Sequence, residues 1–68
     1  MLVINSNLTV NFDNVLLMEI KDNELAFIGD KLKIFMPFDS HQEAKIARRV
    51  IESAHAHGEK ICKFRERD

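Results

Sequence analysis

The nitrogen and sulfur side chains that bind transition metals in proteins occur at four positions in this chain: His41, His55, His57 and Cys62. His55 and His57 are two positions apart in a segment with helical periodicity, so their side chains point about 160° away from each other. Ligand pairs on a helix lie three or four positions apart, on one face. The spacing therefore predicts no metal site and no cofactor. The alternative is a helix that ends before His55, which would leave a His-x-His-x₄-Cys cluster to bind zinc at a subunit contact.

Cys62 is also the strongest nucleophile in the sequence. Lys60 and Lys63 flank it, and neighbouring positive charge lowers the pKa of a thiol and so activates it. A partly buried Cys that packs beside Ile61 and Phe64 is the far more common arrangement. A chain of this length also has little volume in which to build a dry catalytic cleft. We therefore predict that the protein is not an enzyme.

Basic side chains form a second chemical group. Lys45, Arg48 and Arg49 lie close together in the helical segment, and cationic side chains on one helix face are typical of nucleic-acid binding. Glu52 lies among them, so a solvated face with ion pairs three or four residues apart is the simpler interpretation. Nucleic-acid binding by these three residues and the basic tail is the alternative function.

The elements that position these residues follow from a change of period at Pro37. Before Pro37, apolar residues recur at every second position, as in strands; after it they recur at every third or fourth, as in a helix. The segments Asn5-Ser6-Asn7 and Asp22-Asn23 tolerate the left-handed backbone of tight turns. The pattern predicts an α+β fold in which four to five strands form one antiparallel β-meander. The predicted strands are residues 2–5, 8–12, 15–21, 24–28 and 31–36.

One long amphipathic helix is predicted over about residues 40–57, packed on one sheet face. Ser40 and Glu43 have the spacing of a capping box, and Gly58 is placed for the left-handed residue that follows a helix. The apolar side of the helix carries Ala44, Ile46, Ala47, Val50, Ile51, Ala54 and His57. Three structures are open for the tail, residues 59–68: an edge strand, a further helical turn, or an anchor under the sheet, with residues 65–68 frayed.

Both faces of the predicted sheet are apolar, although one helix covers only one of them. The inner face is assigned Leu16, Met18, Ile20, Leu25, Phe27, Leu32, Ile34 and Met36. The opposite face carries Val15, Leu17, Ala26, Ile28 and Phe35. Exposed apolar faces normally mark interaction sites. We predict that these five residues form an interface with a second copy or a larger protein. The alternatives are that residues 1–7 or the tail cover the face, or that these residues lie scattered at its edges.

Composition agrees with a small interaction module. The 68 residues are 46% apolar and 31% charged, with a net charge of −1, which predicts one folded domain over residues 1–68 without general affinity for nucleic acid or membrane. A chain this short buries only about 60% of its unfolded surface. Its single Cys cannot form an internal disulfide, so association is the expected additional stabiliser. The lone Cys, the lack of a membrane-length apolar run and an N-terminus unlike a signal peptide indicate a cytoplasmic protein.

Two segments carry a resemblance to other proteins: Val15 to Glu24, and Met36-Pro37-Phe38-Asp39-Ser40 leading into Glu43-Ala44. Over about residues 8–57 the chain resembles small uncharacterised bacterial and phage proteins with a β-meander and a Phe-Asp-Ser helix cap. This likeness suggests a small, possibly prophage-derived, adaptor, inhibitor or assembly factor. The last strand and helix are similar to the C-terminal part of pleckstrin-homology-like domains, and the Met-Leu-Val start is similar to RNA-binding dimers of the carbon-storage-regulator type. None of these resemblances assigns a functional residue.

Overall fold

The computed structural model of the protein describes residues 1–64. Its strands and helix are β1 (Leu2–Asn5), β2 (Leu8–Asn11), β3 (Leu17–Lys21), β4 (Glu24–Ile28), β5 (Lys33–Pro37), α1 (His41–Ala56) and β6 (Ile61–Phe64). The described part is therefore α+β, with six strands and one α-helix. Of the three structures open for the tail, the edge strand is found as β6, while residues 65–68 lie outside the described residues.

The strands form two three-stranded sheets, so the predicted single meander is wrong. One sheet has the order β2-β1-β6 and the other has the order β3-β4-β5. β1 pairs antiparallel with β2 but parallel with β6. The β3-β4-β5 sheet is antiparallel throughout, so the meander prediction holds for that half of the strands alone.

A 3₁₀ helix, Phe12–Asn14, separates the two sheets. The predicted second strand continued through Phe12, but the Oδ1 atom of Asn11 accepts a hydrogen bond from the Asp13 amide at 3.1 Å. The Val15 amide then donates to the Phe12 carbonyl at 3.1 Å. Local bonds of this kind compete with a strand ladder. They turn the chain after β2, and β3 therefore begins a new sheet.

The predicted hairpin turns are confirmed. Ser6 lies between β1 and β2, and Asp22 lies between β3 and β4. Both residues have a φ angle of 55°, in the left-handed region that tight two-residue hairpins require.

The helix prediction is confirmed at both ends. The hydroxyl of Ser40 accepts a hydrogen bond from the Glu43 amide at 3.1 Å. The carboxylate of Glu43 accepts one from the Asp39 amide at 3.3 Å, where the capping box predicted the Ser40 amide as donor. Gly58 follows the helix with a φ angle of 72°. Within residues 1–64, no helix has both the length and the apolar character that crossing a bilayer requires.

Both sheets and the helix contribute to one core. Its members, each at most 6% exposed, are Val3, Val10 and Cys62 from the β2-β1-β6 sheet, Leu25, Phe27 and Met36 from the β3-β4-β5 sheet, and Ile51 from α1. α1 contacts β3, β4 and β6 and also buries Ala44 and Ala47. The core therefore uses the inner side of each sheet and leaves the outer sides outside it.

Gly29→Ala is expected to destabilise the protein by about 3 kcal/mol, the upper end of the usual cost of overpacking. A Cβ atom at Gly29 would lie 2.2 Å from the Asn14 carbonyl oxygen and 3.1 Å from Cγ of Leu32, so the backbone must move. The matched control is Gly58→Ala, which has no atom within 4 Å of the new Cβ and should cost about 1–2 kcal/mol for its left-handed backbone. Urea unfolding followed by far-UV circular dichroism compares the two variants, and an equal or smaller loss at Gly29 would contradict the prediction.

Candidate interaction surface

The outer side of the β3-β4-β5 sheet brings together four of the five residues predicted to form an interface. Leu17 pairs with Ile28 across β3 and β4, and Ala26 pairs with Phe35 across β4 and β5. Directly paired residues lie on the same face, and alternate residues of a strand return to it. Leu17, Ala26, Ile28 and Phe35 therefore share one face, here called the outer sheet face.

Two of these side chains project into solvent. Phe35 is 41% exposed and Leu17 is 46% exposed, whereas Ile28 is half-buried. Ala26 is only 2% exposed, because its methyl group lies between the longer side chains of Glu19 and Phe35, with which it is in register. The exposed apolar surface of this face is thus carried by Phe35 and Leu17, with Ile28 beside Leu17.

Charged residues complete the outer sheet face. The alternation of the strands places Glu19, Lys21, Glu24 and Lys33 on it. The ammonium group of Lys33 lies 5.5 Å from the centre of the Phe35 ring, within the range of a cation–π contact. Two acids and two bases give this face no net charge.

Val15 and Leu16 lie differently from their predicted places, because β3 begins at Leu17 rather than at Val15. Val15 is half-buried and packs against the core instead of lying on the outer sheet face. Leu16 was assigned to the inner face, yet it is 76% exposed. Its amide donates to the Ile28 carbonyl at 2.8 Å, outside the regular register of β3 with β4. The strand alternation therefore does not include Val15 and Leu16, the two residues between the 3₁₀ helix and β3.

Two grooves border Leu16. The first, of about 350 Å³, lies between the 3₁₀ helix, the start of β3 and α1. Its lining residues are Phe12, Val15, Leu16, Leu17, Met18, Glu52 and His55. The second, of about 410 Å³, is lined by Asp13, Asn14, Leu16, Asp30, Lys31 and Leu32. The side chain of Leu16 thus lies between the two grooves. Sequence periodicity did not predict the 3₁₀ helix just before it.

Other exposed apolar residues lie elsewhere on the molecule. Leu2 and Ile61 are paired on the outer side of the β2-β1-β6 sheet and are 40% and 56% exposed. Sequence reasoning missed this pair, since nothing local indicates that β6 lies beside β1. Ile46 and Val50 of α1 are 50% and 44% exposed, although both lay on the predicted apolar side of the helix.

The basic residues proposed for nucleic acid, Lys45, Arg48 and Arg49, are all exposed on α1. The Nε atom of Arg48 lies 3.6 Å from a carboxylate oxygen of Glu52. This pair follows the i,i+4 spacing that stabilises helices. The helix surface is thus of mixed charge, and Arg65 and Arg67 of the tail lie outside the described residues.

The side chains considered as candidate metal ligands do not form a cluster within residues 1–64. His41 contacts the Asp22 carbonyl through Nδ1, and the His55 ring meets the Phe12 ring edge-on, with 5.1 Å between the ring centres. His57 contacts the Ser53 carbonyl through Nδ1 at 2.7 Å. Across residues 1–64, no three His, Cys, Asp or Glu side chains are grouped to hold a metal ion.

Cys62 lies in the core, where burial raises the pKa of its thiol. The effect is opposite in direction to the activation that Lys60 and Lys63 would give. Because folding raises this pKa, the contribution of the protonated thiol to stability is complete below the pKa of the thiol in the unfolded chain. It is lost as the pH rises from there through the pKa of the thiol in the folded protein.

We expect the Cys62 thiol to react with a disulfide reagent at least about tenfold more slowly in the folded protein than after denaturation, because the thiolate is disfavoured and reagent access requires opening of the core. The rate at which the other half of the disulfide reagent is released as a free thiol measures the reaction rate of Cys62 directly. The control is Ile61→Cys in a Cys62→Ala background, because Ile61 is 56% exposed in the same strand. Equal rates for the two thiols would contradict the burial of Cys62.

No protein-family model matches this chain, and comparisons with curated proteins and with solved structures find no match either. The resemblance to small bacterial and phage proteins stays a prediction.

Proposed function

We propose that the protein is a non-enzymatic protein-interaction module that self-associates through the outer sheet face. The observation that carries the proposal is the pair of large apolar side chains on that face, Phe35 at 41% exposure and Leu17 at 46%. In this arrangement α1 covers the inner face, supported by the burial of Ala44, Ala47 and Ile51, and a second copy covers the outer one.

Stability gives a reason for association. A domain of this size has little core to offset its conformational entropy, and its single Cys is buried and free. Burial of an exposed aromatic ring against a partner contributes about 25 cal/mol for each Å² of apolar surface removed from water. Phe35 supplies such a ring without being needed for the monomer core.

The charge of the outer sheet face suits a second copy. Glu19 and Glu24 balance Lys21 and Lys33, so two copies can approach without an excess of like charge. A two-fold contact places the same patch on both partners, and a neutral patch of mixed sign meets this condition. The setting we propose is a cytoplasmic bacterial or prophage adaptor, inhibitor or assembly factor. Docking of this face on a larger protein is the other outcome of the tests below.

Phe35→Asp is the first test, because it places a charge at the centre of the proposed contact. We expect the wild type to be a dimer at high concentration and the variant to have a dissociation constant at least about 30-fold higher, the effect of losing a hot-spot side chain. Light scattering with refractive-index detection measures the mass, since the chain has no Trp or Tyr to absorb at the usual wavelength.

Ile46→Asp is the matched control, because Ile46 is 50% exposed but lies on α1. It should leave the dissociation constant unchanged. A wild-type protein that is monomeric at every concentration would reject self-association. Equal dimerisation of the Phe35→Asp variant and the wild type would exclude the outer sheet face as the contact.

Nucleic-acid binding is tested separately with the double variant Arg48→Glu, Arg49→Glu. Because Arg48 is paired with Glu52, we expect neither the wild type nor the variant to bind duplex DNA or structured RNA in fluorescence anisotropy at physiological salt. Binding that falls steeply with salt and is lost in the double variant would favour the alternative function.

A further inference from the structure

The outer sheet face alone is too small for a stable dimer. Three strands at their usual spacing and five residues at their usual rise cover about 250 Å² in projection, and side-chain relief does not raise that to the about 800 Å² per partner of a standard interface. A contact centred on this face must therefore extend past its border. The residues at the border of the face indicate the direction in which the contact extends.

Leu16 lies where the outer sheet face ends. It directly precedes Leu17, and its amide is bonded to the carbonyl of Ile28, so it lies at the border of the outer sheet face beside the Leu17–Ile28 pair. At 76% it is the most exposed of the large apolar side chains in residues 1–64. Together with Leu17 and Phe35 of the outer sheet face, it extends the exposed apolar surface, and contiguous surfaces of this kind mark interaction sites.

The first groove beside Leu16 supplies a matching depression. Among its lining residues the apolar Phe12, Val15 and Met18 are half-buried, whereas the polar Glu52 and His55 are exposed. Leu17 belongs both to this groove and to the outer sheet face, so the two surfaces are continuous. A surface that carries a projecting apolar side chain beside an apolar groove can be self-complementary. A two-fold axis can place the projecting side chain of each copy in the groove of the other copy.

On the basis of the proposed self-association, we propose that Leu16 is a second anchor of the dimer, beside Phe35, and inserts into the groove of a second copy between the 3₁₀ helix and α1. The occupant is a second copy because the projection and the groove lie side by side on one chain. Docking of a second copy in the groove would also add contact area, which a stable dimer needs because the outer sheet face alone is smaller than a standard interface. An apolar anchor surrounded by polar groups, here Glu52 and His55, is the usual arrangement of an interaction hot spot.

The test is Leu16→Ala, which removes an exposed side chain and should leave the monomer folded. We expect the dissociation constant of the dimer to rise at least about tenfold, with the unfolding of the diluted monomer unchanged by circular dichroism. Leu16→Met keeps the apolar volume and should stay close to the wild type. Ile46→Ala is the matched control for loss of an exposed apolar side chain, and it should have no effect.

The outcomes separate this inference from the proposed function. Loss of the dimer in Phe35→Asp with an unchanged dimer in Leu16→Ala would overturn the role of Leu16 and leave the outer sheet face as the interface. An unchanged dimer in both variants would reject both proposals. A second readout is the methyl NMR spectrum, in which Leu16 and Met18 should shift with protein concentration and Val50 should not; constant Leu16 shifts across dimer formation would also overturn the inference.

Discussion

The parallel pairing of β6 with β1 joins the two ends of the described chain, and the rest of the fold depends on it. Val3 pairs with Val10 on one side and with Cys62 on the other, and these three side chains are almost fully buried. Parallel neighbours require a long crossover connection. Here the crossover contains the whole β3-β4-β5 sheet and α1, so closing β6 onto β1 brings all of these elements against one core.

This closure also determines which surfaces are left over. The core takes the inner side of each sheet and one stripe of α1, with Ile51 as the buried centre of that stripe. No further element of residues 1–64 is available to cover the outer sheet face. Phe35 and Leu17 are therefore exposed as a consequence of topology, and not because their strands are poorly packed. The same topology that completes the core thus leaves exposed the apolar face through which we propose that the protein self-associates.

Local chemistry could be predicted from the sequence, and long-range pairing could not. The Ser40 cap, the left-handed Asp22 and the left-handed Gly58 each follow from the residue type and its immediate neighbours. The partner of β1 depends instead on which strand reaches it after α1, information that no local pattern contains. The candidate site divides in the same way: period two placed Phe35 and Leu17 correctly, but it failed at Leu16, where the 3₁₀ helix interrupts the strand.

The β5 edge of the β3-β4-β5 sheet is protected against pairing with a further strand. The Gly29 amide donates to the Leu32 carbonyl and the Phe38 amide donates to the Asn23 carbonyl, both at 2.9 Å. Hydrogen-bonded pairs alternate along an antiparallel ladder, so the backbone groups of residues 33, 35 and 37 point away from β4. Position 37 is Pro and has no amide hydrogen, while its carbonyl accepts a bond from the Asn5 side chain. The charged side chain at position 33 protects the other end. Charge and Pro are the usual protections against edge pairing, so the β5 edge is poorly suited to pairing with a strand of another molecule.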